Sequence, residues 1–238
     1  MEIKVGNLIS NIVTDNPELL QALIELYTLK VPGAEFSHSY KKGRWDGKKR
    51  FINTKGEFRT GLLHRLLEDL KKIECEPEIH YKEDVNSDNA ELTTIDGFTY
   101  YDYQEELIRR GLEQKRCVIQ SPTGSGKTLI MAGLVKALQG KKMVILFNAK
   151  HLLKQTYDFF VEECGLSGIG LCFGEGFIEN PIMLCTVQSV ERIIDTHLES
   201  AEVLIVDECH EFCSGKTTIA AIESFPKATY RFGLTATP

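Results

Sequence analysis

The feature that most constrains the fold is a short glycine-containing segment, Ser121–Thr128, with the sequence SPTGSGKT. It directly follows the apolar run Cys117–Gln120 and opens a helical pattern at Lys127. Small residues between a strand and a helix let successive backbone N–H groups close around phosphate groups, and the helix start adds a favourable dipole. This context predicts a P-loop. The alternative is a Gly/Ser turn that only joins strand to helix, and Ser121 stands where the strict motif has glycine.

Further apolar runs alternate with helical patterns along this part of the chain, which is typical of a parallel sheet covered on both faces. We predict strands at 117–120, 143–147, 182–186, 203–207 and 231–234. We predict helices at 102–113, 127–139, 150–164, 188–199 and 216–224. The predicted fold class is α/β, with a P-loop parallel sheet sandwiched by helices.

The chain changes character near residue 85, which predicts two domains. Before that point we predict a small α+β domain over residues 1–85. Its predicted elements are a helix that starts at Asn16-Pro17-Glu18, a hairpin over 48–59, a helix over 61–73 and a strand over 78–81. The polar, turn-prone stretch that follows predicts a linker over 86–95, and residues 96–238 form the second domain.

A pair of acids ends the apolar run Val203–Asp207, and His210 follows shortly after. Ligands of parallel sheets bind beyond the carboxyl ends of the strands, so Asp207 and Glu208 should face the P-loop. Lys127 would then reach the β and γ phosphates of ATP, and Thr128 and Asp207 would hold Mg²⁺. Glu208 is the candidate base that orients the attacking water. A solvated acidic strand end is the alternative.

These residues carry a resemblance to a known family. Asp207-Glu208-Cys209-His210 resembles the D-E-x-H box of superfamily-two helicases, and four more segments match the family in order. They are Tyr103-Gln104, Asn148–Gln155, Thr186–Ser189 and Thr235-Ala236-Thr237.

The resemblance implies a RecA-like motor domain and a role for each matching residue. Gln104 would read adenine, and His210, Thr235 and Thr237 would couple ATP hydrolysis to strand movement. Lys150 and Gln188 would contact the DNA backbone. The ATP phosphates would be cradled by the loop residues Thr123, Gly124, Ser125, Gly126, Lys127 and Thr128.

The chain departs from the family pattern at two places. Asn148-Ala149 stand where the family usually has Pro-Thr, so the strand contact there differs. Tyr101 stands where relatives often have arginine, two residues before Tyr103-Gln104. An aromatic ring at this position can still stack on adenine.

The first domain holds a local basic cluster with the only tryptophan of the chain, Trp45. Basic side chains attract phosphates, and an aromatic ring can stack on an unpaired base. The alternatives are a solvated basic hairpin and a tryptophan that anchors the core. The candidate DNA-binding residues are Lys41, Lys42, Arg44, Trp45, Lys48, Lys49 and Arg50. The run Gly43–Gly47, its basic flanks and the following amphipathic helix resemble the N-terminal domain of UvsW-type phage helicases, which implies branched DNA as the substrate.

Charge, cysteines and hydropathy exclude some other classes. The net charge is -6, from 28 Lys+Arg and 34 Asp+Glu, so nucleic-acid contact must rest on local patches. Seven cysteines without a close-spaced framework indicate reduced thiols in the cytoplasm. Cys209, His210 and Cys213 lack the further ligands of a zinc site. No apolar run is long enough to span a membrane.

The sequence therefore predicts the N-terminal part of an ATP-dependent DNA helicase or translocase that acts on forks and recombination junctions, in phage replication, recombination or repair. A second motor domain, absent from this chain, would supply further catalytic arginines. We expect the 238 residues alone to be monomeric and a weak ATPase. The alternatives are the motor of an ATP-dependent restriction endonuclease, an RNA helicase, and a non-catalytic DNA-binding module under nucleotide control. If the gene belongs to a phage, the protein would act in the cytoplasm of the infected bacterium.

Overall fold

The structure, a computed structural model, describes residues 1–81, 90–213 and 216–237. The chain divides into two compact units, Met1–Asn86 and Ser87–Pro238. Part of the predicted linker, residues 86–89, lies outside the described residues, as does Pro238. Ile95, at the other end of that predicted linker, is buried in the apolar core of the larger unit. The roles predicted for the two domains stay predictions.

The smaller unit is α+β. Its strands are β1 (Glu2–Val5), β2 (Ile9–Val13), β3 (Thr28–Lys30), β4 (Lys48–Arg50), β5 (Glu57–Arg59) and β6 (Glu78–Tyr81). Its helices are α1 (Pro17–Leu26), α2 (His38–Lys41) and α3 (Leu63–Lys72). Four strands form one sheet in the order β5-β2-β1-β6, and β3 and β4 form a separate antiparallel pair.

The core of this unit follows from the apolar faces of its two long helices. The Asn16 side chain caps α1 by accepting from Leu19 N at 3.0 Å, which confirms the predicted helix start. Leu66 and Leu70 of α3 are fully buried and join a core cluster with Ile3 of β1 and Phe58 of β5. The predicted strand at 78–81 is confirmed as β6.

The predicted hairpin over 48–59 is wrong in its pairing. β4 pairs with β3 and β5 pairs with β2, while Ile52 and Phe58 form only an isolated bridge. The turn is present, since Gly56 has φ +79°. Phe58 is buried in the core, which directs β5 to the edge of the main sheet. β4 consists of Lys48, Lys49 and Arg50, which are all exposed. It has no apolar side chain to bury in this core, so it does not accompany β5 to the main sheet.

The larger unit is α/β. Its strands are β7 (Arg116–Gln120), β8 (Met143–Phe147), β9 (Ile169–Phe173), β10 (Gly176–Ile178), β11 (Ile182–Thr186), β12 (Val203–Val206) and β13 (Tyr230–Thr235). Its α-helices are α4 (Asp102–Gln114), α5 (Lys127–Ala137), α6 (Lys150–Asp158) and α7 (Lys216–Glu223). The sheet has the order β10-β9-β11-β8-β12-β13-β7, and its strand pairs are parallel except β9 with β10.

Helices cover both faces of this sheet, as predicted. In β8, Met143, Ile145 and Phe147 belong to one core cluster, whereas Val144 and Leu146 belong to another. All five residues are fully buried, which explains why the strand is a continuous apolar run. The fold is a RecA-like P-loop sandwich preceded by a small α+β unit, and the predicted fold class is confirmed.

The strand order positions the site. β12, β13 and β7 are neighbours, so the segments that follow their carboxyl ends lie at one edge of the sheet. These segments are the P-loop, the acid pair and the Thr235 segment.

The predicted helix over 188–199 is wrong in type, since a 3-10 helix spans Val187–Ile193 and a π-helix spans Ile194–Leu198. Val187, Val190 and Ile193 recur every third residue and are buried, which matches the repeat of a 3-10 helix. The predicted helix over 150–164 is α6 extended by a π-helix at Phe159–Glu163. β9 and β10 were not predicted. No helix among the described residues is long and apolar enough to cross a membrane.

Candidate active site

The phosphate loop between β7 and α5 depends on its two glycines. Gly124 and Gly126 have φ of +80° and +76°, a region that other residues rarely adopt. A Cβ added at Gly126 would lie 2.4 Å from Gln104 Nε2. The loop is closed by a hydrogen bond from Ser125 N to Pro122 O at 3.1 Å.

Ser121, the departure from the strict P-loop motif, has a structural role. Its side chain is buried, and its Oγ lies 2.5 Å from Ser125 Oγ inside the loop. Its backbone N–H donates to Thr235 O at 2.9 Å. The backbone contact, which glycine would also make, ties the start of the loop to the end of β13, whereas the contact with Ser125 depends on the Ser121 hydroxyl.

Lys127 is held between the two acids predicted to organise the reaction. Its ammonium group forms an ion pair with the Glu208 carboxylate, and Nζ lies 4.0 Å from Asp207 Oδ1. Lys127, Asp207 and Glu208 are mostly buried. Thr128 is partly exposed one residue further along α5.

One oxygen of Asp207 is left without a hydrogen bond. Oδ1 is the single buried side-chain N or O atom without a hydrogen-bond partner among the described residues. Burial is the main cause that raises the pKa of Asp207, and the nearby Lys127 opposes this rise. A buried carboxylate oxygen that accepts no hydrogen bond, beside a phosphate loop, fits a hard divalent cation, which takes oxygen ligands. The site therefore suits Mg²⁺.

Glu208 connects Lys127 to the histidine of the box. Its backbone adopts φ +47°, which is strained for a residue with a side chain, and this turns the carboxylate toward Lys127 directly after β12. The other oxygen, Oε2, lies 3.5 Å from His210 Nδ1.

His210 in turn reaches the end of β13. His210 Nδ1 lies 2.8 Å from Thr235 Oγ1, and the Thr235 hydroxyl donates to Thr237 O at 2.5 Å. Thr235 is fully buried. A contiguous set of polar contacts therefore joins Lys127, Glu208, His210, Thr235 and Thr237, five residues that the sequence predicts for the site.

Gln104 braces the phosphate loop from outside. The side chain is buried, with Oε1 accepting from Tyr101 N at 3.0 Å and Nε2 donating to Ser125 O at 2.9 Å. Tyr103, which sequence reasoning did not assign to the site, donates its hydroxyl to the same Ser125 O at 2.8 Å. Each end of the Gln104 amide keeps one further hydrogen-bonding position. Adenine recognition by Gln104 stays a prediction.

A cavity of about 530 Å³ lies between the start of α4, the phosphate loop and α6. Tyr101 and Tyr103 stack at its rim, with ring centroids 5.8 Å apart and an interplanar angle of 11°. Asp158, Phe159 and Glu163 line its far side and had no signal in the sequence. The aromatic rim suits a planar base.

The segments after β8 and β11 place the other candidate DNA contacts of this unit. Lys150 is exposed at the start of α6, with Nζ 4.8 Å from the centroid of the Phe173 ring. Gln188 is exposed between two buried residues. Asn148 stands at one of the two departures from the family pattern, and its Nδ2 donates a hydrogen bond to Glu211 Oε2 at 2.5 Å. This contact joins the segment after β8 to the segment that carries the acid pair.

Six of the candidate DNA-binding residues form an exposed basic surface on the smaller unit. They are Lys41, Lys42, Arg44, Lys48, Lys49 and Arg50. Arg50 forms an ion pair with Asp46 at 2.5 Å, and this guanidinium lowers the pKa of Asp46. Trp45 is half-buried, lies outside the core cluster, and donates Nε1 to Lys48 O at 2.8 Å. The interpretation of Trp45 as a core anchor is therefore wrong.

The expectation that Cys209, His210 and Cys213 hold no zinc stays a prediction, because the side chain of Cys213 lies outside the described residues. Cys209 packs against Gly233, where an added Cβ would lie 2.8 Å from its Sγ.

The fold and this arrangement of residues define the class of protein: a P-loop motor domain of the superfamily-two helicase type. Residues 97–238 match the family described as "Type III restriction enzyme, res subunit". The chain belongs to this family.

Named relatives support the same class. The chain is 23% identical over 235 residues to the ATP-dependent DNA helicase uvsW of Enterobacteria phage T4, covering 89% of this chain and 47% of the relative. It is 28% identical over 177 residues to the DNA 3'-5' translocase XPB2 of Sulfurisphaera tokodaii, covering 71% of this chain and 38% of the relative. The chain thus spans less than half the length of both relatives. The resemblance to superfamily-two helicases is confirmed.

A solved structure shows the same fold. The crystal structure of the UvsW helicase from bacteriophage T4 matches 100% of this chain and 93% of its own, with a TM-score of 0.76 at 19% identity. The likeness extends over both units, so the pairing of a small α+β unit with a RecA-like unit occurs in a known helicase structure.

Proposed function

We propose that the chain is the N-terminal part of an ATP-dependent DNA helicase or translocase that acts on branched DNA. The observation that carries the proposal is the placement of Lys127 against Glu208 and Asp207, with Asp207 Oδ1 buried and accepting no hydrogen bond. A lysine at the start of a P-loop helix, with a base and a cation ligand beside it, supplies the groups that phosphoryl transfer to water requires.

In the proposed reaction, Lys127 changes partner. The ammonium group leaves Glu208 for the β and γ phosphates of ATP, while the backbone of Thr123–Thr128 cradles them. The released Glu208 carboxylate then orients the attacking water and accepts its proton. Mg²⁺, held by Thr128 and Asp207, would supply positive charge that stabilises the transition state.

In this proposal, the movement of the Glu208 carboxylate also affects the residues at the end of β13. Glu208 Oε2 is 3.5 Å from His210 Nδ1, and His210 contacts Thr235. When Glu208 turns toward the attacking water, His210 loses this neighbour, and the Thr235–Thr237 segment responds. We propose this route for the coupling of ATP hydrolysis to DNA movement, with Lys150 and Gln188 as contacts of the DNA backbone.

The substrate proposal rests on the smaller unit and on the relatives. Its basic surface suits phosphates, and the relative of phage T4 is a DNA helicase. Forks and recombination junctions are the proposed substrates, and replication, recombination or repair is the proposed setting. If the gene belongs to a phage, the protein would act in the cytoplasm of the infected bacterium.

The test is ATP turnover with forked DNA, four-way junctions, plain duplex and duplex RNA, using the complete protein. We expect Lys127→Ala and Glu208→Gln to reduce turnover by at least about 100-fold, because each removes a group that acts in the transition state. Glu113→Gln, which makes the same change at an exposed glutamate of α4 away from the phosphate loop, is the matched control and should retain its turnover. Unchanged turnover in both Lys127→Ala and Glu208→Gln would exclude an ATPase at this site.

The family description favours a second candidate, the motor of an ATP-dependent restriction endonuclease. The two candidates share the ATP site and differ in the reaction on DNA. DNA cleavage by the complete protein in the presence of ATP would support the restriction motor. Strand separation without cleavage would support the helicase.

A further inference from the structure

The region that carries the inference is the excursion of the smaller unit over residues 28–50, which we call the arm. β3 and β4 pair at its base, and Val31 N donates to Gly47 O at 2.8 Å directly beyond this strand pair. Gly47 has φ +75°, and a Cβ there would lie 3.0 Å from both Ala34 Cβ and the Tyr40 ring. The arm is therefore a packed structure with its own small apolar contact.

Phe36 stands exposed on this packed arm. It ends a 3-10 helix, Ala34–Phe36, and its N–H donates to Gly33 O at 3.1 Å. Its side chain is 77% exposed, more than any other large apolar side chain among the described residues. The neighbour Ala34 is buried, so the short helix is anchored on one side and presents the phenyl ring on the other.

Trp45, the aromatic residue selected from sequence, is placed differently. Its ring is half-buried and its only hydrogen-bond donor is used on Lys48 O, at the point where β4 begins. Trp45 therefore supports the arm. Among the aromatic residues of the arm, Phe36 is the most exposed, at 77% against 43% for Tyr40, so its ring offers the largest face to a stacking partner.

The charges around Phe36 point to the kind of partner. The arm carries the exposed basic residues Lys30, Lys41, Lys42, Arg44, Lys48 and Lys49, against the exposed acid Glu35 and the paired acid Asp46. An exposed phenyl ring on an arm whose exposed charges are mostly lysine and arginine complements the two parts of single-stranded nucleic acid, its planar bases and its phosphate chain.

We propose that Phe36 stacks on an unpaired base of DNA at a branch point, while the basic residues of the arm hold the adjacent phosphates. Bases within a duplex are already stacked on both sides, so the ring selects DNA with an unpaired base. This inference rests on the proposed function, since it names the feature of branched DNA that the arm recognises.

The first test is DNA binding in the absence of nucleotide. Phe36→Ala should weaken binding to a fork with unpaired arms by about tenfold, the usual effect of losing one stacked base. Binding to a blunt duplex of the same length should stay within about twofold, because phosphate contacts carry it. Leu29→Ala is the matched control, since Leu29 lies on the same arm, is 59% exposed and has no ring.

The second test uses fluorescence. Trp45 is the only tryptophan, so Phe36→Trp adds one reporter to a known background. We expect the fork to quench the Phe36→Trp variant more strongly than the wild type, and the blunt duplex to quench both equally. Phe36→Trp should also keep the preference for the fork that Phe36→Ala loses.

The outcomes separate the inference from the function on which it rests. If the wild type prefers forks and Phe36→Ala keeps that preference, with no added quenching in Phe36→Trp, the stacking role is wrong while branched-DNA binding stands. If the wild type binds forks and blunt duplex equally, branched DNA as the substrate is wrong, and the stacking proposal fails with it.

Discussion

At the scale of single residues, the two glycines of the phosphate loop share a backbone conformation and differ in surroundings. An added Cβ at Gly124 would have no atom of the other described residues within 4 Å, its chain neighbours aside, whereas one at Gly126 would have Gln104 Nε2 at 2.4 Å. Gly124→Ala should therefore raise the free energy of the native loop only by the strain of a side chain at positive φ, about 1–2 kcal/mol. Gly126→Ala should add the displacement of Gln104, and we expect it to weaken ATP binding by a further factor of about ten.

The measurement is ATP affinity of both variants and of Gly126→Ala combined with Gln104→Ala. Shortening Gln104 removes the clash, so the double variant should bind ATP about as well as Gln104→Ala alone apart from the φ strain. Equal losses in Gly124→Ala and Gly126→Ala would show that Gln104 does not brace the loop.

The phosphate loop could be predicted from sequence because its signal is contiguous: strand, loop and helix follow one another along the chain. Asp207 and Glu208 could be placed beside it because the carboxyl ends of parallel strands meet at one edge. The contacts of Gln104 and Ser121 could not be predicted, since each joins segments that are distant in sequence. Phe36 had no signal, because exposure of one phenylalanine is a property of the folded arm.

At the scale of elements, pairing and helix type were the least predictable. A turn at Gly56 was visible in the sequence, but the partners of β4 and β5 are β3 and β2. That choice depends on the burial of Phe58 in a core made by other elements. The segment after β11 shows the same limit. The apolar pattern of a 3-10 helix repeats every three residues and that of an α-helix every 3.6 residues, and the two patterns differ little over two turns.

One contact between elements yields a further prediction. Asn148 follows β8 and bonds to Glu211, which follows the acid pair, so a segment expected to touch DNA is tied to the ATP site. Asn148→Ala removes a hydrogen bond to a charged group, worth about 1 kcal/mol at a partly exposed site. We expect the ratio of DNA-stimulated to DNA-free ATP turnover to fall about threefold.

A double-mutant cycle isolates this contact from other effects of either change. Asn148→Ala, Glu211→Ala and the double variant should show the same reduced stimulation, because either change alone breaks the bond. Reductions that multiply in the double variant would mean that Asn148 and Glu211 act separately and that the bond does not couple the segments.

At the scale of the whole molecule, net charge is a poor guide to DNA binding. The chain has a net charge of -6, yet one arm of the smaller unit presents most of its exposed charge as lysine and arginine. Long-range repulsion from the rest of the chain is screened beyond about 10 Å at 0.1 M salt, so contact depends on the local surface. The relevant quantity is the charge of the arm.

The ion pair between Arg50 and Asp46 allows that charge to be changed by one unit. Asp46→Asn releases Arg50 and keeps the Oδ1 acceptor that receives Lys48 N at 3.1 Å, so the turn should persist. We expect DNA affinity to rise several-fold at low salt, and the slope of log affinity against log salt to steepen by about one. Asp15→Asn makes the same change in net charge at an exposed acid outside the arm and should leave both quantities unchanged. Equal effects of the two substitutions would show that DNA affinity depends on the total charge of the chain and that the arm is not the contact surface.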